Sequence, residues 1–209
     1  TMDNRIFLSP DLTMYDRVEV LKGPAGSLTG AGGSGGSINL VRKRPMADAA
    51  VSAEISAGSW DAYRGMVDVT GPLTETGNIR GRLVLSENKT AFPYDGSGKR
   101  ETNQVYGIVD IDLTPDTVWT IGASNQNTDI NGAQRSLPAF RYTGSDGKPA
   151  MSLPDVSRKN FYGANWNRDY FWSTSVFTEL EHHLAGDWKT KLSVRHADNN
   201  YDLTQAYAR

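Results

Sequence analysis

Gly30, Gly32 and Gly35 fall at the G-x-G-x-x-G spacing that presents a dinucleotide pyrophosphate to a helix N-terminus. That chemistry needs a helix to follow, and the residues after it, Ser37 to Val41, read instead as a strand with Ile38 and Leu40 on one face. Nucleotide binding is therefore set aside. The 3 histidines are weak metal ligands, because His182 and His183 are neighbours on a strand and point to opposite faces, and the chain has 0 cysteines to complete a set with His196. With no nucleophile elbow and no phosphate-loop lysine, no catalytic residue and no metal ligand is nominated. The nearest enzymatic rival, a carboxylate pair for glycoside hydrolysis, finds its acids spread by strand alternation and no pair singled out. Arg42-Lys43-Arg44 is an isolated basic triplet in a chain of net charge -2 and pI near 5.9, so no nucleic-acid partner is expected.

The residues suited to binding lie elsewhere. Between Thr128 and Asn167 runs a connection long enough to be functional or disordered, and it is aromatic and basic. Arg135, Tyr142, Tyr162 and Trp166, with Phe140, Arg141, Phe161 and Arg168 beside them, offer stacking faces and fixed positive charge. Such a set suits an anionic, partly apolar chelate with peptide-like groups. Tyr170 and Trp172 read as members of an interfacial aromatic girdle, and Trp166 fits the girdle and the ligand site equally.

The elements that would position this loop are strands. Val51, Ala53, Ile55 and Ala57 oppose Ser52, Glu54 and Ser56, and Val67 and Val69 oppose Arg64, Asp68 and Thr70. Ile79, Leu83 and Leu85 oppose Arg80 and Arg82; Val105, Val109, Ile111 and Leu113 oppose Gln104, Asp110 and Asp112. Runs at Val118 to Gln126 and Tyr170 to Leu180 follow, then Trp188, Leu192 and Val194 against Lys189, Lys191 and Arg195, which makes seven strands. A mean hydropathy of -0.50 with 38% hydrophobic residues and no long apolar run excludes membrane helices, yet suits a transmembrane barrel, whose strands need apolar residues only at alternate positions. Connection lengths sort as a barrel requires. Pro72 to Asn78, Thr114 to Thr117 and Leu184 to Asp187 are short turns for the periplasmic side; Lys89 to Glu101 and Thr128 to Asn167 are longer and fall outside with the short Gly58 to Asp61. A soluble β-sandwich would share the strand pattern but bury the face that a barrel shows to lipid.

Ahead of these strands, Arg17 to Leu21 alternates as a half-buried strand, Gly23-Pro24 stops it, and five of the seven residues from Gly30 to Gly36 are glycine before the strand at Ser37 to Val41. The stretch YDRVEVLKGP, with Leu28-Thr29-Gly30-Ala31-Gly32, Ile38-Asn39-Leu40-Val41 and Lys43-Arg44-Pro45, closely resembles the end of the plug of TonB-dependent outer-membrane siderophore receptors, nearest the ferric-coprogen and ferripyoverdine receptors. Gly33-Ser34-Gly35-Gly36 departs from the Asp-Pro that those relatives often carry after GAG.

The resemblance implies an all-β membrane protein, part of a 22-stranded antiparallel transmembrane barrel, with residues 1–45 the C-terminal part of the plug domain and 46–209 the first strands of the barrel. Seven strands cannot close a barrel of that diameter, so the chain reads as a fragment without signal peptide or TonB-binding segment. It further implies uptake of a ferric siderophore of hydroxamate type, energised by TonB and its inner-membrane motor complex, in the bacterial outer membrane among lipid and lipopolysaccharide. Cobalamin, an oligosaccharide or a nickel chelate are the other cargoes of such a transporter. Iron would arrive already chelated, with no protein ligand and no cofactor. Arg5 and Phe7 would stand on an apical plug loop facing the ligand, against the reading of an ordinary packed loop. Arg17 and Lys22 would meet barrel carboxylates beyond Arg209 and hold the plug shut, or simply line a solvated strand face. Gly30, Gly32 and Gly35 would give the plug freedom to rearrange, or form a tight loop.

Overall fold

The computed structural model describes residues 10–23, 36–92, 98–132, 140–143, 147–152, 157, 159–161, 163–186 and 188–206, with the backbone alone at 140–142 and 149–152. A single 3-10 turn at Leu12–Met14, capped by the Asp11 side chain accepting from the Thr13 amide, precedes an otherwise all-β chain. The alternation around Arg17 and Ile38 becomes β1 (Tyr15–Lys22) and β2 (Gly36–Arg42), an antiparallel pair with Val18 opposite Leu40 and Val20 opposite Ile38. Gly36 has φ near 129° and packs so close to the Leu21 carbonyl oxygen that a Cβ there would lie 2.3 Å from it, so only glycine closes this pair.

The seven strands expected from alternation all form and pair in one sheet. In chain order they are β3 (Ala50–Gly58), β4 (Ala62–Pro72), β5 (Ile79–Ala91), β6 (Lys99–Thr114), β7 (Thr117–Asn131), β10 (Arg168–His183) and β11 (Lys189–Thr204). Every neighbour is antiparallel, and chain order is sheet order except that β10 follows β7 directly. The extra pair is a hairpin, β8 (Phe140–Thr143) with β9 (Pro149–Ser152), inside what the sequence suggested was a plain loop. Gly147, two residues before β9, has φ near 74°, and the Asp-Gly dipeptide at 146–147 is a hairpin signal in the sequence.

The strands also run longer than alternation suggested. β5 and β6 continue to Ala91 and from Lys99, so the connection expected over Lys89 to Glu101 shrinks to 92–98, and β7 and β10 likewise reach Asn131 and Arg168. In these extensions both faces are polar, and cross-strand partners such as Lys89 opposite Glu101 carry the ladder without an apolar face to betray it.

The two faces of the sheet differ. One is covered by residues 11–15 and 42–46, and there Met14, Val84, Tyr106, Ile108 and Phe177 form the core, with Tyr15 packed against them. The same face buries a set of polar groups, Asp68, Ser86, Gln104, Asp110, Thr120 and Ser175 among them. The other face is apolar and uncovered, exposing Val67, Leu83, Val105, Ile121, Val176 and Leu192. No second sheet packs on it among the described residues, so the sandwich reading finds no support.

Candidate functional site: a polar docking face

Strand alternation sends Asp68, Arg82, Gln104, Asp110 and Glu179 to the covered face, where the chain before β3 meets them at two places. At the first, Asp11 is held from every side. Its amide donates to Gln126 Oε1 at 2.9 Å, its carbonyl accepts from Gln104 Nε2 at 2.9 Å, and its carboxylate accepts from Ser86 Oγ at 3.0 Å and from Arg64 at 3.3 and 3.4 Å. Thr13 adds its amide at 2.9 Å and its hydroxyl, which in turn accepts from Arg64. Burial works against the charge on Asp11, but the hydrogen bonds from Thr13, Arg64 and Ser86 outweigh it and hold the carboxyl below the usual aspartate range.

The second place is the basic triplet at the end of β2. Lys43 Nζ donates to Asp68 Oδ2 at 2.8 Å, while Arg82 grips both oxygens of the same carboxylate at 2.8 and 2.7 Å and donates to the Arg44 carbonyl at 2.9 Å. Arg44 reaches Asp110 at 3.2 Å, Thr120 at 2.7 Å and Glu179 at 2.5 Å, and Glu179 is also paired with Lys191 at 2.8 Å. Thr120 donates to Asp110 at 2.6 Å. Between the two places the wholly buried Tyr106 donates its hydroxyl to the Lys43 carbonyl at 2.8 Å, and the Lys43 amide donates to the Met14 carbonyl at 3.0 Å. Arg42 lies 4.1 Å over the Phe177 ring, and that ring fills the space above Gly122, where a Cβ would sit 2.3 Å from it. Such a face can hold a segment and release it; it has no paired acid and nucleophile with which to do chemistry.

The residues that sequence reading nominated for closing the plug stand on β1. Arg17 is exposed and pairs within its own strand, with Glu19 at 2.8 Å and Asp16 at 3.0 Å, and Lys22 is exposed. Lys43 and Arg44, part of what the sequence showed only as an isolated basic triplet, are the cations that meet sheet carboxylates, while Arg42 lies over Phe177. Asp11, Arg64, Asp68, Arg82, Asp110 and Glu179 were not nominated. Asp11 caps the 3-10 turn, and the signal of the others was present in the sequence as acids and arginines on the polar side of otherwise alternating strands.

Of the ligand candidates, Arg5, Phe7, Arg135 and Tyr162 lie outside the described residues, as do Gly30, Gly32 and Gly35; Tyr142 is described only as backbone in β8. Trp166 is 58% exposed beside the start of β10. Arg168 pairs with Asp129 at 2.7 Å and lies 5.3 Å from the Tyr170 ring, which tilts against Trp172 at 5.5 Å. Tyr170 and Trp172 share the uncovered face with Val176 and Leu180, as the girdle reading expects. Trp119, opposite Leu180, and Trp188 mark the far end of that face. The two aromatic rows stand eight to fourteen residues apart along β10, or about 26 to 46 Å, which a tilt of roughly 40° reduces to about 20 to 35 Å, bracketing the apolar height of an outer-membrane barrel. Among the described residues no group of histidines and carboxylates could hold a metal ion, and no helix is long and apolar enough to cross a membrane.

No family model matches the chain. A ferripyoverdine receptor of Pseudomonas aeruginosa is 43% identical over 194 residues, which cover 91% of this chain and 23% of that protein. The crystal structure of the ferripyoverdine receptor of the outer membrane of Pseudomonas aeruginosa bound to ferripyoverdine superposes with a TM-score of 0.84 at 42% identity, over 93% of this chain and 25% of that one. The alcaligin outer-membrane receptor of Bordetella pertussis does so with a TM-score of 0.70 at 30% identity, over 91% and 27%. The chain thus spans about a quarter of the length of the relatives it matches. These relatives are receptors and not enzymes.

Proposed function

We infer, for a chain that belongs to the TonB-dependent siderophore receptors of the outer membrane, that it is the end of the plug and the first stretch of barrel wall of a receptor that takes up a ferric siderophore. Residues 1–45 close the plug and 46–209 begin a 22-stranded barrel whose lumen is the covered face. The reading rests on one observation above all: a single sheet is apolar outward between two aromatic rows and polar inward, and the inward face is filled by the chain that precedes it. Water-filled pores leave such a lumen open, whereas a plugged lumen needs removable contacts, which the carboxylates meeting Lys43 and Arg44 supply.

The cargo is a ferric chelate of pyoverdine or related hydroxamate type, and iron stays with its chelator throughout. Arg135, Tyr142, Tyr162 and Trp166, with Arg5 and Phe7 below them, form the capture surface at the end of the sheet bearing the long connections. TonB, driven from the inner membrane, then pulls the plug from its docking face, with Gly30, Gly32 and Gly35 absorbing the rearrangement. Titrating the full-length receptor in detergent with ferripyoverdine, ferric coprogen, ferrichrome and vitamin B12 tests this through tryptophan fluorescence. Saturable quenching by a pyoverdine or hydroxamate chelate is the expected result; silence with these and quenching by cobalamin overturns the cargo.

A further inference from the structure

The uncovered face is not smooth. Gly71 on β4 and Gly81 on β5 stand opposite each other, Gly107 on β6 lies one step diagonally away, and Ala49, Leu73, Val109 and Ile121 wall a groove of about 640 Å³ over them. Ala49 packs over Gly71, 2.8 Å from where a Cβ would sit, and Leu73 leans across Gly81, with its nearest methyl 3.0 Å from such a position. Above Gly107 the space is open, with nothing within 4 Å of a Cβ built there. One end of the groove adjoins the turn carrying Thr74, Thr76 and Asn78, whose side chains hydrogen-bond one another at the surface. Ile121 in its wall is two residues, about 7 Å, from Trp119 in the aromatic row, so the groove starts at interfacial depth and runs toward the middle of the apolar band.

In hydrocarbon there is no hydrophobic force to press an apolar chain against an apolar wall, so retention depends on van der Waals contact and shape. A flat face offers a lipid tail contact on one side; this groove offers it on three. An α-helix, roughly 10 Å across, would rest on the Leu73 rim without reaching the glycines. We propose that the groove of Gly71, Gly81 and Gly107 is a binding site for one acyl chain of a phospholipid in the leaflet that faces the short turns, its headgroup beside the Thr74–Asn78 turn. The proposal rests on the reading of the sheet as a lipid-facing barrel wall with its short turns in the periplasm.

Gly107→Leu projects into the open end of the groove, where a Cβ has no atom within 4 Å. Native mass spectrometry of the full-length receptor, equilibrated separately with phosphatidylethanolamine and with lipid A, reads the result. The wild type retains one phosphatidylethanolamine more than Gly107→Leu, Gly107→Ala falls between them, and lipid A retention is the same in all three. Equal phosphatidylethanolamine retention in wild type and both variants overturns the site. Loss of lipid A instead overturns both the phospholipid assignment and the orientation of the turns. Ferric-siderophore quenching by the same variants stays at the wild-type level, which separates this proposal from the transport reading.

Discussion

The two places where the N-terminal segment meets the sheet use similar groups and differ in what they leave behind on parting. At Asp11, the sheet contributes Arg64, whose partners among the described residues are Asp11 and Thr13, so withdrawal of the segment strands a half-buried guanidinium. At the basic triplet, the sheet contributes carboxylates that already have a partner of their own: Asp68 keeps Arg82, Asp110 keeps Thr120 and Glu179 keeps Lys191. Breaking a buried pair is costly chiefly because one charge is left uncompensated. The triplet avoids that cost on the sheet side, whereas the Asp11 contact incurs it. The first is therefore an anchor and the second a clasp that can open and close.

Substitutions can break that contrast, and the largest effect is expected where both cations of the clasp lose their acid. Asp68→Ala leaves Lys43 and Arg82 without their shared carboxylate, and the opening free energy of residues 42–46, read by hydrogen exchange in the full-length receptor, should fall by about 3 kcal/mol. Asp11→Ala should lower the opening free energy of residues 11–14 by about 2 kcal/mol, since Arg64, Ser86 and Gln126 all lose contacts there. Arg44→Ala, which removes a side chain 43% exposed and leaves Glu179 with Lys191, should cost about 1 kcal/mol or less, and a larger loss would show that the clasp is as rigid as the anchor. Arg17→Ala should leave exchange at both places unchanged.

Acid sharpens the same contrast. Because the Asp11 carboxyl is held below its ordinary value in the folded chain, its contribution is fully present above about pH 3.9 and is lost as pH falls through the lowered folded value. Protection of Thr13 and Met14 should therefore be level from neutral pH to about pH 5 and drop well below pH 4, and Asp11→Asn should remove that dependence.

The sheet was legible because its strands repeat one instruction. Val67 and Val69, Leu83 and Leu85, Val105 and Val109 mark the outward face at every second residue, and the register follows once short turns fix which strands are neighbours. Past the apolar band that instruction stops, which is why Lys89 to Ala91 and Lys99 to Glu101 read as loop although they pair throughout. The docking face was half legible. Alternation sent Asp68, Asp110 and Glu179 inward, but nothing local could say that Arg44, and not Arg17, would meet them, because that choice depends on how β2 ends over strands far along the chain. Phe177 shows the same limit: its place over Gly122 is set by the cross-strand register, and its contact with Arg42 by the arriving segment.

Arg44 and Glu179 are 135 residues apart in sequence, while each strand of the sheet after β3, except β10, pairs with the one just before it in the chain. Contacts between neighbours close short loops and form quickly, and contacts across long separations wait on the entropy of larger ones. The clasp thus prescribes an order of assembly. The wall can zip up hairpin by hairpin from β3, but Arg44 has no Glu179 to find until β10 has joined β7. The segment that precedes the sheet in the chain is seated after it.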